Sequence, residues 1–149
     1  MSKRWGTPTW YFLHTLSEKI YDDCYVKMKS DVITIIETIL VNLPCPLCRN
    51  HAINYLKKNN IYKVNSKNEM KTYLFKCHNW VNKRVGNSLK ERKILELYKK
   101  ANTVNIYKYF IQEFFRTNVL SKDFFIWRKN SLKNKLNNLM TKNKLYIAP

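Results

Sequence analysis

Residues 30–51 read Ser30-Asp31-Val32-Ile33-Thr34-Ile35-Ile36-Glu37-Thr38-Ile39-Leu40-Val41-Asn42-Leu43-Pro44-Cys45-Pro46-Leu47-Cys48-Arg49-Asn50-His51. Val32, Ile33, Ile35, Ile36, Ile39, Leu40 and Leu43 recur at helical spacing and make a broad apolar stripe suited to a core. Pro44 stops that helix because it lacks an amide hydrogen and clashes with the preceding turn. Pro46 then suits the first turn of a new helix, where its missing donor costs nothing. Two helices joined by a stiff proline turn that carries a CxxC set the expectation of an all-α chain.

The rest of the chain agrees. Thr7-Pro8 reads as an N-cap and first helical residue, followed by Trp10, Leu13, His14, Ser17 and Tyr21 along one side, with Asp22-Asp23 near the end. The helix rich in isoleucine is expected to open near Ser30. The CxxC helix runs to about Lys58 before Asn59-Asn60, and residues 60–66 read as a loop. Ser66-Lys67-Asn68-Glu69 matches a capping box. Met70, Tyr73, Leu74, Cys77 and Val81 form the stripe of the helix that follows, with Gly86 as terminator. Further helices are expected over 89–100, around Val104, Tyr107, Ile111, Phe114 and Phe115, and from Phe124 to Met140. The division expected is a bundle over 1–100 and a basic helical extension over 101–149.

Composition narrows the classes. The chain has 149 residues, 45% of them hydrophobic, with 2 Gly and 4 Pro. That supports one packed domain and argues against a many-stranded sandwich or barrel. No run approaches a membrane span. Met1-Ser2-Lys3-Arg4-Trp5 has no apolar core ahead of the first helix, so no cleavable leader is expected. The net charge is +18, which favours polyanions or acidic protein surfaces. Lys, Asn, Ile and Tyr are also what AT-rich codons supply, so a basic surface need not be selected. The basic end could contact nucleic acid.

Cys45 and Cys48 carry the first chemical signal. A helix N-terminus favours the thiolate, and two intervening residues let the sulfurs meet. Taken alone, the pair is either a redox disulfide or half of a zinc knuckle. Zinc could add His51 with Cys77 or His78, which would make the chain a zinc-stabilised basic helical protein that binds nucleic acid. Adjacent residues such as Cys77 and His78 point in different directions on a helix, which weighs against that set. His78, Asn79 and Asn82 make a polar stripe suited to a ligand with a polar ring system. No Rossmann glycine motif, P-loop, HExxH or GxSxG is present.

The order of these pieces is informative. Trp5-Gly6-Thr7-Pro8-Thr9-Trp10-Tyr11-Phe12-Leu13-His14-Thr15 resembles the WGxxxWxxLHT opening of the Erv/ALR family of FAD-linked sulfhydryl oxidases. Pro44-Cys45-Pro46-Leu47-Cys48-Arg49-Asn50-His51 is similar to its PCxxCxxH, and His78-Asn79-Trp80-Val81-Asn82 to its HNxVN, with Gly86 in place after it. The resemblance spans residues 5–86 and is nearest to the versions of large cytoplasmic DNA viruses.

The resemblance implies a four-helix bundle plus a short fifth helix that binds FAD. It implies a reaction in which protein dithiols become disulfides and electrons pass to FAD and then to O2, giving H2O2. Cys48 corresponds to the thiol beside the flavin and Cys45 to the interchange thiol. Trp10, His14, Tyr21, His51, His78, Asn79 and Asn82 match pocket positions, with Cys77 and Val81 beside them on the same helix. Arg4, Trp5, Gly6 and Thr7 match the neighbouring loop. Tyr98 lies near the place of an aromatic that packs on the adenine. On charge grounds Lys83 and Lys90 would meet phosphates.

Family members pair through their first two helices, so a homodimer is implied. The site of action implied is the host cytoplasm, viral assembly sites or the virion, with the mitochondrial intermembrane space as the alternative. Two departures stand out. Phe75 replaces a structural cysteine of many cellular members, which makes Cys77 a buried thiol. No second CxxC exists and Cys24 is alone, so a thioredoxin-like partner is expected to bring the dithiol.

Overall fold

The computed structural model describes residues 4–118 and 126–149. The chain is all-α. Helices α1 (Gly6–Lys19), α2 (Tyr25–Leu40), α3 (Pro46–Lys58) and α4 (Lys67–Val85) form the bundle, followed by α5 (Thr103–Asn118) and α6 (Ile126–Lys142). Short 3-10 stretches cover Asp22–Cys24, Ile61–Lys63, Arg92–Lys100 and Lys144–Tyr146. The short fifth element expected over 89–100 is the 3-10 stretch Arg92–Lys100. Phe124 and Phe125, expected to open the last helix, lie outside the described residues.

Local signals explain most boundaries. The Glu69 amide donates to Ser66 Oγ (3.1 Å), and the Glu69 carboxylate accepts from the Asn65 amide (2.6 Å). The capping box is therefore built, with its return bond one residue further out. Gly86 ends α4 at φ +82, the left-handed position where a side chain would strain the backbone.

Two starts differ from expectation. Helix α1 opens at Gly6 after Trp5, and Thr7 does not cap it. The first turn is tied instead by Thr9, whose hydroxyl and amide both donate to the Trp5 carbonyl. Helix α2 opens at Tyr25, ahead of Ser30. Tyr25 and Met28 are buried, and the Tyr25 hydroxyl donates to the Val64 carbonyl (2.9 Å). Tertiary burial of Tyr25 and Met28 thus extends the helix ahead of the isoleucine-rich stripe, across Lys27, Lys29 and Ser30, which interrupt the apolar pattern.

Helix α1 is the axis of the molecule. From Pro8 to Glu18 every residue but Tyr11 is buried. One side meets α4 and the Arg92–Lys100 stretch, and another meets α5. Phe12 stacks on Phe110 (4.9 Å between centroids, 17° between planes) and leans on Tyr107. Phe110, Phe114, Phe115, Leu136 and Ile147 belong to the same core cluster as Leu13, Ile36 and Leu74. The stripe of α5 therefore seals the bundle.

Helix α6 lies along α2. Arg128 donates to Asn42 at one end (3.2 Å), and Asn143 and Lys142 hold Asp31 at the other (2.9 and 3.0 Å). The chain end closes over α1, with the Tyr21 amide on the Tyr146 carbonyl (3.0 Å) and the Ala148 amide on the Lys19 carbonyl (2.7 Å). Among the described residues no helix is long and apolar enough to cross a membrane.

Candidate active site

A cavity of about 430 Å³ opens between α1, the start of α3, α4 and the Arg92–Lys100 stretch, within the size range of small-molecule sites. The structure gathers Trp5, Gly6, Thr7, Trp10 and His14 from the first segment, Cys48 from α3, His78, Val81 and Asn82 from α4, and Lys90 and Tyr98 beyond it. Three motifs far apart in sequence converge because α1 and α4 pack side by side. The α1–α4 seam is fixed farther along by Glu18. Its carboxylate, almost buried, lies 3.0 Å from Lys71 and 3.9 Å from Lys67.

The centre of the wall is an aromatic and imidazole stack. Trp10 lies flat on His78 (4.1 Å, 5°), and His14 Nε2 meets His78 Nδ1 at 3.0 Å. Tyr98 leans on His14. Burial pushes His14 down to about 4. His78 goes to about 3, chiefly through burial, with His14 and Lys90 adding to the effect. Both rings are neutral near pH 7, so the 3.0 Å contact is a single hydrogen bond between neutral imidazoles. His14 Nδ1 and Asn82 Nδ2 are buried without a partner among the described residues.

Helix α3 presents the two cysteines at different depths. Cys45 is the N-cap, partly exposed, and its Sγ accepts from the Cys48 amide (3.2 Å). Cys48 is 2% exposed and faces the cavity. Both sulfurs sit in the first turn, where unpaired amides favour negative charge by roughly 0.3–1 kcal/mol.

Several residues singled out from sequence lie outside the cavity wall. Arg4 is an exposed side chain turned to Glu113 (3.8 Å). Tyr21 is 44% exposed beyond the far end of α1. His51 lends its carbonyl to the Trp80 indole (3.1 Å). Cys77 is fully buried in the core, and burial drives its thiol far above the ordinary range. Lys83 is exposed on the outer side of α4. Asn79 is a clamp whose amide donates to the Lys90 carbonyl (2.9 Å) and accepts from the Lys90 amide (2.8 Å), pinning the chain that carries Lys90.

The wall also includes Tyr11, Leu43, Phe75, Val85, Asn87, Ser88 and Ile94. Phe75, His78, Val81, Asn82 and Val85 are spaced as one helical face, a signal available in the sequence. Asn87 and Ser88 are carried there by the Gly86 turn. For Ile94 no local signal exists.

The zinc alternative needs three or four ligands together. Among the described residues no group of three His, Cys, Asp or Glu side chains is placed to hold a metal ion.

Comparison with known proteins agrees with the motif order. The model of the Erv1 / Alr family matches residues 7–102. The FAD-linked sulfhydryl oxidases of two African swine fever virus isolates, one from Kenya and one from Malawi, are each 34% identical over 85 residues. Those matches cover 57% of this chain and 71% of the relative. A Namibian isolate's protein of the same name is 33% identical over the same length and coverage. No solved structure gives a significant match. With the match spanning the first helix, the CxxC and the histidine pair, the chain belongs to the Erv1 / Alr family.

Proposed function

We propose that this chain is an FAD-dependent sulfhydryl oxidase that makes disulfide bonds in protein substrates. The observation that carries the reading is the placement of one CxxC across a wall, with Cys48 facing the cavity and Cys45 toward solvent.

The cavity residues fit FAD. His14 Nδ1 and Asn82 Nδ2 are buried polar atoms awaiting a partner. The flat Trp10–His78 stack suits a planar ring system. Trp10, His14, His78, Asn82 and Tyr98 would hold the cofactor, with Lys90 on the rim for its phosphates. FAD, when bound, supplies a two-electron acceptor that passes the electrons on to O2, giving H2O2.

The chain's own part is thiol–disulfide exchange. A substrate thiolate attacks Cys45 Sγ of the Cys45–Cys48 disulfide, the more exposed of the two sulfurs. The Cys45–Cys48 bond breaks, and Cys48 leaves as thiolate into the first turn of α3. A second substrate thiolate attacks the substrate sulfur of the mixed disulfide and releases Cys45. The substrate has then lost two protons and two electrons, and the pair has gained the electrons. Trp5, Tyr11 and Tyr98 add aromatic surface to the cavity wall.

A thioredoxin-like partner that brings its own dithiol fits the lack of a second CxxC. A Cys48→Ser variant should trap a mixed disulfide on Cys45, and the absence of any Cys45-dependent adduct would remove that partner. The relatives are viral, and we place the chain in the cytoplasm of an infected cell, where host thiols are kept reduced. The homodimer expected through the first two helices gains no support from this fold, because α5 and α6 cover parts of α1 and α2 within the chain.

The deciding experiment is the visible spectrum of the purified protein. A flavin band near about 450 nm that bleaches with dithiothreitol and recovers in air is expected. In Cys48→Ala the band should remain and the bleaching should fail. A colourless protein after reconstitution with FAD would overturn the reading.

A further inference from the structure

The charge on this chain is unevenly spent around the redox pair. Between residues 38 and 90 there are ten Lys and Arg and one acid, Glu69. Glu69 sits at the start of α4 with its carboxylate on the Asn65 amide. The other acids facing α3 and α4 are engaged elsewhere. Glu18 is enclosed by Lys67 and Lys71, and Glu37 accepts from the Tyr62 hydroxyl (2.9 Å).

Two cations on the α3–α4 face are held in place, Arg49 beside the pair and Arg84 on Trp80. Arg49, which follows Cys48, donates to the Leu43 carbonyl (3.3 Å) and so lies against the turn that leads into Cys45. One turn along α3, His51 accepts from the Trp80 indole. On that indole Arg84 is stacked at 3.1 Å from the ring centroid and also donates to the Trp80 carbonyl (3.2 Å), while Lys58 lies 5.2 Å away. A fixed cation keeps its field on one place, whereas a solvated lysine averages it away. Amid this charge Leu47, between the cysteines, is 54% exposed and Val41 is 40% exposed.

Resting on the oxidase reading, we propose that the α3–α4 face around Cys45 is a docking surface for protein dithiols flanked by acidic residues. Leu47 and Val41 supply an apolar contact, and Arg49 and Arg84 supply fixed positive charge on the same face. The physical advantage is twofold. Opposite charge steers encounter. Acidic flanks hold a substrate thiol protonated in isolation, and the cationic face offsets that when the two meet, so the attacking thiolate forms where Cys45 waits.

The test uses the flavin-loaded protein, oxygen uptake as the readout, and three peptides sharing one central CxxC. Their flanks are glutamate, serine or lysine, and dithiothreitol serves as an uncharged dithiol. At low salt kcat/KM for the glutamate peptide should exceed that for the lysine peptide by about tenfold, and the gap should shrink severalfold at high salt. Arg84→Gln should cut the gap by about half or more while dithiothreitol turnover stays unchanged. Lys144→Gln, on the C-terminal 3-10 stretch, removes the same charge and should leave the gap intact.

Equal kcat/KM for all three peptides, with dithiothreitol still oxidised, would overturn the docking surface and leave the oxidase reading standing. Equal erosion of the gap by Lys144→Gln and Arg84→Gln would also overturn it, since net charge would then be acting. No dithiothreitol turnover at all would remove the oxidase reading itself, and the docking surface with it.

Discussion

Acid should weaken this protein before its carboxylates protonate, and the reason is the histidine pair. His14 is 2% exposed and is held down to about 4 from an ordinary 6.5. The unfolded chain therefore binds a proton at His14 below pH 6.5 that the folded chain refuses until near pH 4. Stability falls as pH drops through 6.5 and stops falling near 4. Integrating the difference from pH 7 to pH 5 gives a loss of about 2 kcal/mol for His14 alone. His78 opens to the cavity and is shifted in the same direction, so it adds to the loss. Against a total of roughly 5–15 kcal/mol this is a large fraction. Urea unfolding of the FAD-free protein, followed by circular dichroism, should show the midpoint fall by about 1 M between pH 7 and pH 5. In His14→Gln the midpoint at pH 7 should be lower, but the drop towards pH 5 should be at least halved. Parallel pH profiles for the two proteins would refute the reasoning, because the loss would then come from groups elsewhere.

Phe110→Ala removes a fully buried ring that stacks on Phe12, so it should cost about 3–5 kcal/mol in urea unfolding. Glu18→Gln leaves Lys71 and Lys67 together without their carboxylate. A stability loss of about 3 kcal/mol is expected, with weaker flavin retention on gel filtration as the α1–α4 seam loosens. Gly86→Ala meets nothing within 4 Å, so its cost is the left-handed backbone alone, about 1 kcal/mol by thermal unfolding. Truncation after Lys100 removes Phe110, Phe114 and Phe115, each worth about 1.5–3 kcal/mol of burial. The shortened chain should lose cooperative unfolding and flavin together, and a folded yellow truncate would disprove that.

The sequence was most legible where chemistry is local. Pro44 and Pro46 bracket a turn that cannot continue as helix, and the structure puts Cys45 at the N-cap of α3. Ser66 with Glu69, and Gly86, mark the two ends of α4 for equally local reasons. The cavity wall was legible where motif and helical face coincide, as at Trp10, His14, His78 and Asn82. It was less legible where a side chain has two directions open to it. Asn79 lies beside His78 in every motif reading, yet its amide can satisfy the Lys90 backbone at both atoms, and that geometry exists only once the chain has turned at Gly86. Tyr21 follows the spacing of α1, but the helix ends at Lys19 and the Tyr146 carbonyl takes its amide. No pattern within α1 reports that the chain end arrives there.

The aromatic stripe of α5 follows from the cost of opening a cavity in so small a bundle. A domain of about 100 residues has little core to spare. A ligand site between α1 and α4 leaves space beside Trp10, His14, His78 and Asn82, and leaves His14 Nδ1 and Asn82 Nδ2 without partners among the described residues. Burial lost on that side of α1 must be recovered on another. Phe12, one position from Leu13 and two from Trp10, points away from the cavity into Phe110 and Tyr107. Helix α1 is therefore enclosed nearly all round, with Tyr11 the exception between Pro8 and Glu18. Its sequence, Trp10 to Leu16 with Tyr11 alone exposed, already demands a covering helix beyond the first four. The segment after residue 102, outside the family match, meets that demand with α5 and then ties it down at both ends. Glu113 does so beside Arg4 near the mouth of the cavity, and Thr103 does so on the Ala148 carbonyl (2.7 Å) where the chain end crosses α1.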